Sequence, residues 1–384
     1  MNRNLASILM ISLALSFSSC SQQATGSSSS SASSLNTVSI LESEDLNSDY
    51  VNWRGRHYFT DEKEYFYYTA TGFKIEFFGR IIDLELELED KNNDIYYSLS
   101  RDNQDLLEAD VYVQKASEKL RIEFDTYAEH SIELIKRSEP EDGVTSLRRA
   151  STNGYFLPYE NPAETPLHFL LIGASGISGH GALGKPNEKR TTANSSSLHS
   201  FGYLTARAFN ATYEFVSNSG WGIKYGFNDT TGNVNIVQAY DKIGIDANQD
   251  LVDVNYNHNK KADVVIVNAG GNDYSAVINK ASGFDKEDKV RAFKTQVANF
   301  ILKLRSDNPK AHIFWTMTEG SLNGTAALQV INQLDKTDSD YVHMVVIEDV
   351  GSNGDAAGAN GHASYITHQR SAETLVETIN QVLA

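Results

Sequence analysis

The apolar residues of the chain follow two different periods, and the change falls near residue 158. In residues 82–89 every second residue is Ile or Leu, and the residues between them are Asp or Glu. Similar alternation recurs in residues 73–78 and 120–125. It is typical of strands with one face buried and one face in water, and turn residues separate such segments about every ten residues. We predict an antiparallel, jelly-roll-like β-sandwich over residues 47–158.

After residue 158, short apolar runs alternate with helical stretches. The runs cover residues 167–172, 213–217, 262–268, 311–316 and 343–347. Apolar residues recur at helical spacing in residues 290–304 and 372–383. This alternation is typical of a parallel sheet covered by helices on both faces. We therefore predict a doubly wound α/β domain over residues 159–384.

Three of these runs lead into loops that carry polar groups of possible catalytic use. The first run is followed by Ser175, the second by Gly220 and the third by Asn272. Ligands bind at the carboxyl ends of parallel strands, so we expect a hydroxyl, a backbone amide and a side-chain amide to converge there. Such donors stabilise an oxyanion. A serine in a Gly-rich turn is usually only a turn residue, but His362, just before the last helix, is a candidate base for it.

Length and charge restrict the possible partners. The chain has 384 residues, enough for about two domains, and its formal net charge is −17. Nucleic acids and anionic membrane surfaces require a basic protein surface, so neither is an expected partner. A neutral sugar polymer would not be repelled.

The N-terminal segment has the pattern of an export signal. Arg3 precedes an apolar run over residues 5–17 that is too short to span a membrane, and the run leads to Ser18-Ser19-Cys20. Because Cys20 is the only cysteine, we predict that it is lipidated and that no disulfide forms within the chain. The predicted parts are a signal peptide (1–19) and a Ser-rich tether (20–46), followed by the two domains. A plain secretory signal is the alternative.

These predictions imply a location in the bacterial cell envelope. The protein would be held by its lipid, in the outer membrane as the preferred site, or would be secreted. The lipid anchor would be its only contact with the membrane.

Longer motifs resemble those of the SGNH hydrolases and, more narrowly, of carbohydrate esterase family 2. That family joins an N-terminal jelly roll to an SGNH domain and removes acetyl groups from plant polysaccharides such as xylan and glucomannan. In the first domain the similar segments are WRGRHY and HSIELIKRSEPEDG, and in the second they are LTARAFNATYEFVSNSGWG, ADVVIVNAGGND and GHASYITHQ. Each motif is weak alone, whereas their order and spacing are specific.

The resemblance implies a role for each candidate residue. Ser175 would be the nucleophile and His362 the general base. The backbone N–H groups of Ser175 and Gly220 and the side chain of Asn272 would form the oxyanion hole. Neither a metal nor a cofactor is expected, and the expected partner is an acetylated polysaccharide or oligosaccharide.

The chain departs from the family pattern at three positions. The usual Gly-Asp-Ser has Ala174 in place of Asp, and the usual His-Pro has Ala363 in place of Pro. The acid found three residues before the histidine in many SGNH enzymes is replaced by Ala359. We expect a backbone carbonyl at Asn360 or beside it to orient His362, with the Asp355 carboxylate as the alternative.

Other side chains near these motifs have two possible interpretations. His180 could line the mouth of the pocket, and Trp221 could either stack on a sugar or pack its own loop. His368 is interpreted as a surface histidine. Asp273 is interpreted as a brace for its turn, and not as a chemical participant.

Three functions fit the sequence. The main hypothesis is a serine esterase that deacetylates polysaccharide. A glycan-binding lipoprotein that has lost catalysis is the first alternative, because Ala174 and Ala359 replace acids. A sugar O-acyltransferase that uses the same residues is the second.

Overall fold

The computed structural model describes residues 38–42, 45–46, 48–160, 162, 164–227 and 234–384. Cys20, the signal peptide and most of the tether lie outside the described residues. Residues Thr37–Ala384 form one compact unit. Within the described part of the chain, none of the helices is both long enough and apolar enough to cross a membrane.

The first part of the chain is an antiparallel sheet of ten strands. The central order is β3-β4-β9-β5-β8-β6-β7, with β1 paired to β9, and β2 and β10 paired to β5. The strands are β1 Ser39–Leu41, β2 Val51–Arg54, β3 His57–Thr60, β4 Lys63–Phe66, β5 Gly72–Lys91, β6 Ile95–Arg101, β7 Asp110–Gln114, β8 Glu118–Lys136, β9 Gly143–Thr152 and β10 Tyr155–Leu157.

Two of these strands are much longer than the alternation suggested. Strand β5 has 20 residues and β8 has 19, so the alternating segments 73–78 and 82–89 lie in one strand with no turn between them. A shift in the register between Gly79 and Ile81 divides their pairing. A bulge of this kind bends a strand and increases its twist, so one strand can serve two parts of the sheet.

The second part is a parallel sheet of five strands in the order β12-β11-β13-β14-β15. The strands are β11 His168–Gly173, β12 Thr212–Ser217, β13 Val264–Asn268, β14 His312–Thr318 and β15 Val342–Ile347. The helices are α1 Ser175–Ser178, α2 Phe201–Ala208, α3 Ile236–Tyr240, α4 Gly283–Asp307, α5 Leu322–Ile331, α6 Lys336–Ser339 and α7 Tyr365–Leu383. The predicted fold class, an antiparallel β domain followed by an α/β domain, is confirmed.

Strand β11 shows how both faces of the parallel sheet are buried. Leu170 and Ile172 pack in the core that contains the apolar side of α4, whereas Phe169 and Leu171 pack in the core beneath α2 and α7. Side chains alternate between the faces of a strand, so a continuous apolar run requires a cover on each side. All six residues of this strand are buried.

A buried arginine joins the antiparallel sheet to the α/β part. Arg56, which is 1% exposed, donates hydrogen bonds to the carbonyls of Tyr240 and Lys242 at 2.8 and 3.0 Å. Its guanidinium also lies 3.5 Å from the Glu214 carboxylate and 3.7 Å from the centre of the Tyr256 ring. Because the charge is paired and hydrogen-bonded, its burial is compatible with a stable interface.

Candidate active site

The strand register brings three loops to one edge of the parallel sheet. Gly173, the last residue of β11, is paired with Ser217 on β12 and with Asn268 on β13. A Cβ atom at Gly173 would lie 2.4 Å from the Asn268 carbonyl oxygen, so a larger residue would force these strands apart. The loops that follow the three strands therefore start at the same level.

A cavity of about 350 Å³ lies at this edge. Seven residues named from the sequence contribute to its lining, and six others join them. The lining residues are Glu141, Ser175, His180, Ser219, Gly220, Trp221, Gly226, Phe227, Val234, Gln249, Asn272, Asn360 and His362. The structure thus brings together the candidate nucleophile, base and oxyanion donors.

Two features of the neighbouring loops place the oxyanion donors. Gly220 has φ of 79°, in the left-handed region that favours glycine. The side-chain amide of Asn272 donates a hydrogen bond to the Trp221 carbonyl at 2.8 Å. A primary amide carries two hydrogens, so the second can be donated to a substrate.

Asp273 braces the loop that carries Gly220. Its buried carboxylate accepts hydrogen bonds from the N–H groups of Ile223, Lys224 and Tyr225 at 2.9, 2.7 and 2.7 Å. Burial raises the pKa of Asp273 to about 6, although these backbone donors act in the opposite direction. Asp273 is thus a structural residue as predicted, but it braces the loop after β12 and not only its own turn.

His362 lies at the cavity without the orienting partner expected of a general base. Its Nδ1 atom is buried and, among the described residues, has no hydrogen-bond partner. Backbone hydrogen bonds to Asn360 and Ala359 favour the protonated ring and raise its pKa, although no contact of Nδ1 with the residues that the structure describes reaches full hydrogen-bond geometry. The expected backbone carbonyl therefore lies beside the ring, and its role as the orienting group stays a prediction.

Asp355, the alternative orienting residue, is engaged elsewhere. Its carboxylate pairs with the guanidinium of Arg370 on α7, with one of the two contacts at 3.4 Å. Asp355 does not contribute to the cavity lining. The structure therefore does not support Asp355 as the group that orients His362.

Burial changes the interpretation of two other residues. Trp221 is only 2% exposed and meets the ring of Tyr68 edge-on at 6.5 Å, so it packs its loop and offers no open face to a sugar. His368 is also 2% exposed, its Nδ1 accepts a hydrogen bond from the Phe201 N–H at 3.3 Å, and burial lowers its pKa to about 3. The prediction of a surface histidine was wrong, because α7 packs on α2.

The sequence reasoning missed Glu139, a residue of the antiparallel domain that lies behind the cavity-lining residues Ser219 and His180. Glu139 lies just before the turn Pro140–Asp142 and is 0% exposed. It accepts hydrogen bonds from Ser219 at 2.7 Å and from His180 at 2.9 Å. The HSIELIKRSEPEDG motif contains it, but no local pattern shows that its side chain crosses to the other domain.

Glu141 lines the cavity beside Glu139. Burial raises its pKa, and the negative charge of Glu139 raises it further. Gln249 approaches it, with Nε2 at 3.4 Å from the Glu141 carboxylate. These two polar side chains line the cavity and can form hydrogen bonds with sugar hydroxyls.

Two groups of side chains in the described residues have a spacing that a metal ion could use. One is Glu139, Glu141 and His180, and the other is Asp241, His258 and Asp307. Arg190 already supplies positive charge to the first group, and Lys303 to the second. We assign no metal to either, since a basic side chain already pairs with carboxylates of each group.

The fold, an antiparallel β domain followed by a parallel five-stranded α/β domain, is similar to that of family two carbohydrate esterases. A curated acetylxylan esterase / glucomannan deacetylase of Cellvibrio japonicus is 26% identical over 265 residues, which cover 66% of this chain and 69% of that protein. No family model matches the chain.

Two solved structures share the fold. A family two carbohydrate esterase from Clostridium thermocellum, in complex with cellohexaose, has a TM-score of 0.74 at 22% identity and covers 87% of this chain and 99% of its own. An acetyl xylan esterase from the rumen bacterium Butyrivibrio proteoclasticus has a TM-score of 0.76 at 19% identity and covers 90% and 99%. The resemblance to carbohydrate esterase family 2 is confirmed: the curated relative is named acetylxylan esterase / glucomannan deacetylase, and the solved neighbours are carbohydrate esterases.

Proposed function

We propose that this protein is a serine esterase that removes O-acetyl groups from plant-type polysaccharides or their oligosaccharides. The observation that carries the proposal is the convergence of Ser175, His362, Gly220 and Asn272 on one cavity. The four residues come from four separate loops of the α/β domain. Their meeting is what acyl transfer through a serine requires.

In the first half of the reaction, the Ser175 hydroxyl attacks the carbonyl carbon of the acetyl ester and His362 accepts its proton. The negative charge that develops on the carbonyl oxygen is stabilised by the N–H groups of Ser175 and Gly220 and by the Asn272 amide. The intermediate collapses as the ester C–O bond breaks, and His362 returns the proton to the departing sugar oxygen. The products are acetyl-Ser175 and a sugar hydroxyl.

In the second half, water replaces the sugar oxygen. His362 accepts a proton from the water as its oxygen attacks the acetyl-enzyme. The second tetrahedral intermediate uses the same oxyanion donors. As the bond from the acetyl carbon to Ser175 Oγ breaks, His362 returns its proton to Oγ, which restores both residues and releases acetate. This scheme needs only groups that line the cavity.

The features of the cavity and the relatives support a carbohydrate substrate. Phe227 is 59% exposed at the cavity and offers an aromatic face to a sugar ring, while Glu141 and Gln249 can bond to its hydroxyls. The Cellvibrio japonicus relative is named for acetylxylan and glucomannan, and both are acetylated plant polysaccharides. The net charge of −17 does not oppose binding of a neutral polymer.

The test is acetate release from an aryl acetate and from acetylated xylan and glucomannan. Ser175→Ala should reduce the rate on the order of a thousandfold or more, since it removes the nucleophile and leaves only binding and oxyanion effects. The melting temperatures of the two proteins should agree. Equal rates for the wild type and the variant would reject the esterase.

The same assay decides the two alternatives. A protein that binds oligosaccharide but releases no acetate would be the non-catalytic glycan-binding protein, for which the unpartnered Nδ1 of His362 is the supporting observation. Transfer of acetyl groups to an added sugar in preference to water would indicate the acyltransferase. Chromatography of the sugar products separates these outcomes.

We also propose that Cys20 carries a lipid and that residues 20–46 link it to the folded domains. The support comes from the sequence alone: the apolar run over residues 5–17 and the Ser18-Ser19-Cys20 junction. Processing of this type supplies more than one acyl chain, which stable anchoring requires. Mass spectrometry of membrane-extracted protein tests it, and a soluble, unacylated mature chain that starts elsewhere would reject it.

A further inference from the structure

The candidate base lacks the carboxylate that usually accompanies a catalytic histidine. The position three residues before it is Ala359, which is 0% exposed. Asp355 pairs with Arg370 instead. In the described chain the Nδ1 atom of His362 is buried without a partner. Backbone carbonyls of its own loop, at Asn360 and Ala359, favour the protonated ring, but a charged partner must come from another element of the fold.

Glu139 is a buried carboxylate of the antiparallel domain that could take the place of the absent acid. It is 0% exposed. It accepts two bonds from Ser219, from the N–H at 2.7 Å and from Oγ at 2.7 Å, and lies 3.4 Å from the Arg190 guanidinium. Burial opposes ionisation, but His180, Arg190 and Ser219 hold the pKa of Glu139 well below its usual range. Its carboxylate is therefore charged at neutral pH.

His180 lies between this carboxylate and His362. Its Nδ1 is 2.9 Å from the Glu139 carboxylate, and its ring centre is 4.5 Å from that of His362, with the two planes inclined by 47°. An ionised carboxylate can only accept, so Nδ1 of His180 carries a proton. The bond fixes the orientation of the His180 ring, and that ring packs directly on the candidate base.

We propose that Glu139 and His180 are positioning residues for His362, in place of the missing acid. Glu139 holds the His180 ring, the ring limits the rotation of His362, and the carboxylate behind it stabilises the positive charge that develops when His362 takes the serine proton. This inference rests on the proposed function. In this inference, the antiparallel domain contributes a residue, Glu139, that affects catalysis.

The charged surroundings of His362 agree with this role. Burial lowers the pKa of His362 and the His180 ring lowers it further, whereas Glu139 raises it. The carbonyls of Asn360 and Ala359 act in the same direction as Glu139.

Three other titratable or charged groups face this assembly. Glu141 lines the same cavity, Arg190 pairs with Glu139 from behind, and His368 on α7 is sensitive to the charge of His362. Of these, Arg190 is bound to both Glu139 and Asp142, and burial keeps His368 uncharged. Glu139 is thus the ionised carboxylate through which His362 is stabilised.

The first experiment compares Glu139→Gln with the matched control Glu214→Gln. Glu214 is also a buried carboxylate that joins the two domains, through Arg56, but it lies on β12 away from the cavity. Hydrolysis of a small aryl acetate is measured from pH 4 to 9, with thermal melting alongside. For Glu139→Gln we expect kcat to fall about 10- to 100-fold, the loss typical when the hydrogen-bond partner of a metal-ligating histidine is removed, with KM nearly unchanged. The acid limb of the profile should move to lower pH, because the carboxylate no longer favours the protonated ring.

Two variants of His180 keep the test decisive if Glu139→Gln does not fold. His180→Asn retains a donor for Glu139 and removes the ring, whereas His180→Phe retains a ring and removes the donor. Both should lower kcat, because positioning requires the ring and the bond together. A wild-type kcat in His180→Asn would overturn the inference. So would a Glu139→Gln variant whose acid limb is unchanged and whose loss of kcat is no larger than that of Glu214→Gln. An inactive wild type would instead count against the proposed function, so the two failures are distinguishable.

Discussion

The side-chain amide of Asn272 donates a hydrogen bond to the backbone carbonyl of Trp221 over 2.8 Å. This bond joins the loop after β13 to the loop after β12, which carries Gly220. Two of the three proposed oxyanion donors are therefore held relative to each other before a substrate arrives. Donors fixed in advance need no reorganisation during the reaction, and this is the main source of their effect.

Asn272→Ala should reduce kcat for aryl acetates by about 10²- to 10³-fold, as for the removal of one donor from an oxyanion hole. KM should change little, because the charge exists only in the transition state. Asn332→Ala, an exposed position after α5, is the matched control and should behave as the wild type. A loss below fivefold for Asn272→Ala would remove the residue from the proposed oxyanion hole.

The pH profile of the enzyme should report His362. The residue must be neutral to accept the serine proton, and burial together with His180 lowers its pKa from 6.5. The rate should therefore be nearly constant around pH 7 and should fall as the pH decreases through a value below 6.5. Measurement of kcat/KM for an aryl acetate between pH 4 and 8 gives this value. An acid limb centred above pH 7 would contradict the assignment of His362 as the base.

Asp355→Asn should have only a small effect on the reaction, within a few fold. Its carboxylate pairs with Arg370 and does not line the cavity. A member of a catalytic triad would cost on the order of a thousandfold or more. The rates of Asp355→Asn and His362→Ala, measured side by side, decide between a structural ion pair and a third triad member.

Asp273→Asn should change how stability depends on pH. The folded-state pKa of Asp273 is raised to about 6 from 3.8, so the native protein binds more protons than the unfolded chain between these values. The contribution of Asp273 to the free energy of unfolding is thus largest below pH 4 and decreases until about pH 6, by about 3 kcal/mol in total. Asn does not titrate, so the variant should lack this decrease.

Urea denaturation of the wild type and of Asp273→Asn between pH 4 and 7 gives the difference in their free energies of unfolding. The wild type should lose stability relative to the variant as the pH rises through this range. A difference that stays constant with pH would show that Asp273 titrates near its ordinary value.

Phe227→Ala should raise KM for acetylated oligosaccharides several fold and leave the kinetics with a small aryl acetate unchanged. The side chain is 59% exposed at the cavity, where it can contact a sugar ring that the small substrate lacks. Phe284→Ala on α4 is the control, since this side chain is 85% exposed and does not line the cavity. Equal effects of the two substitutions would reject a sugar contact at Phe227.

The sequence by itself predicted the fold class and the place where the candidate residues meet. Apolar runs and helical spacing are local properties of a chain, and each of the five runs of the second domain became a strand within two residues of its prediction. The carboxyl ends of parallel strands lie at one edge, so polar residues that follow them must be neighbours. Ser175, Gly220 and Asn272 could be placed together for this reason alone.

Only the tertiary structure decided which side chains are buried and what reaches the cavity from a distance. Trp221 and His368 have sequence contexts that allow either a surface or a core position, and the packing of Tyr68 and of α2 determined the outcome. Glu139 contacts His180, a cavity-lining residue 41 positions away in the chain, because the two domains pack together. Periodicity describes neighbours along the chain, whereas such contacts depend on how separate elements pack, so no local pattern could reveal them.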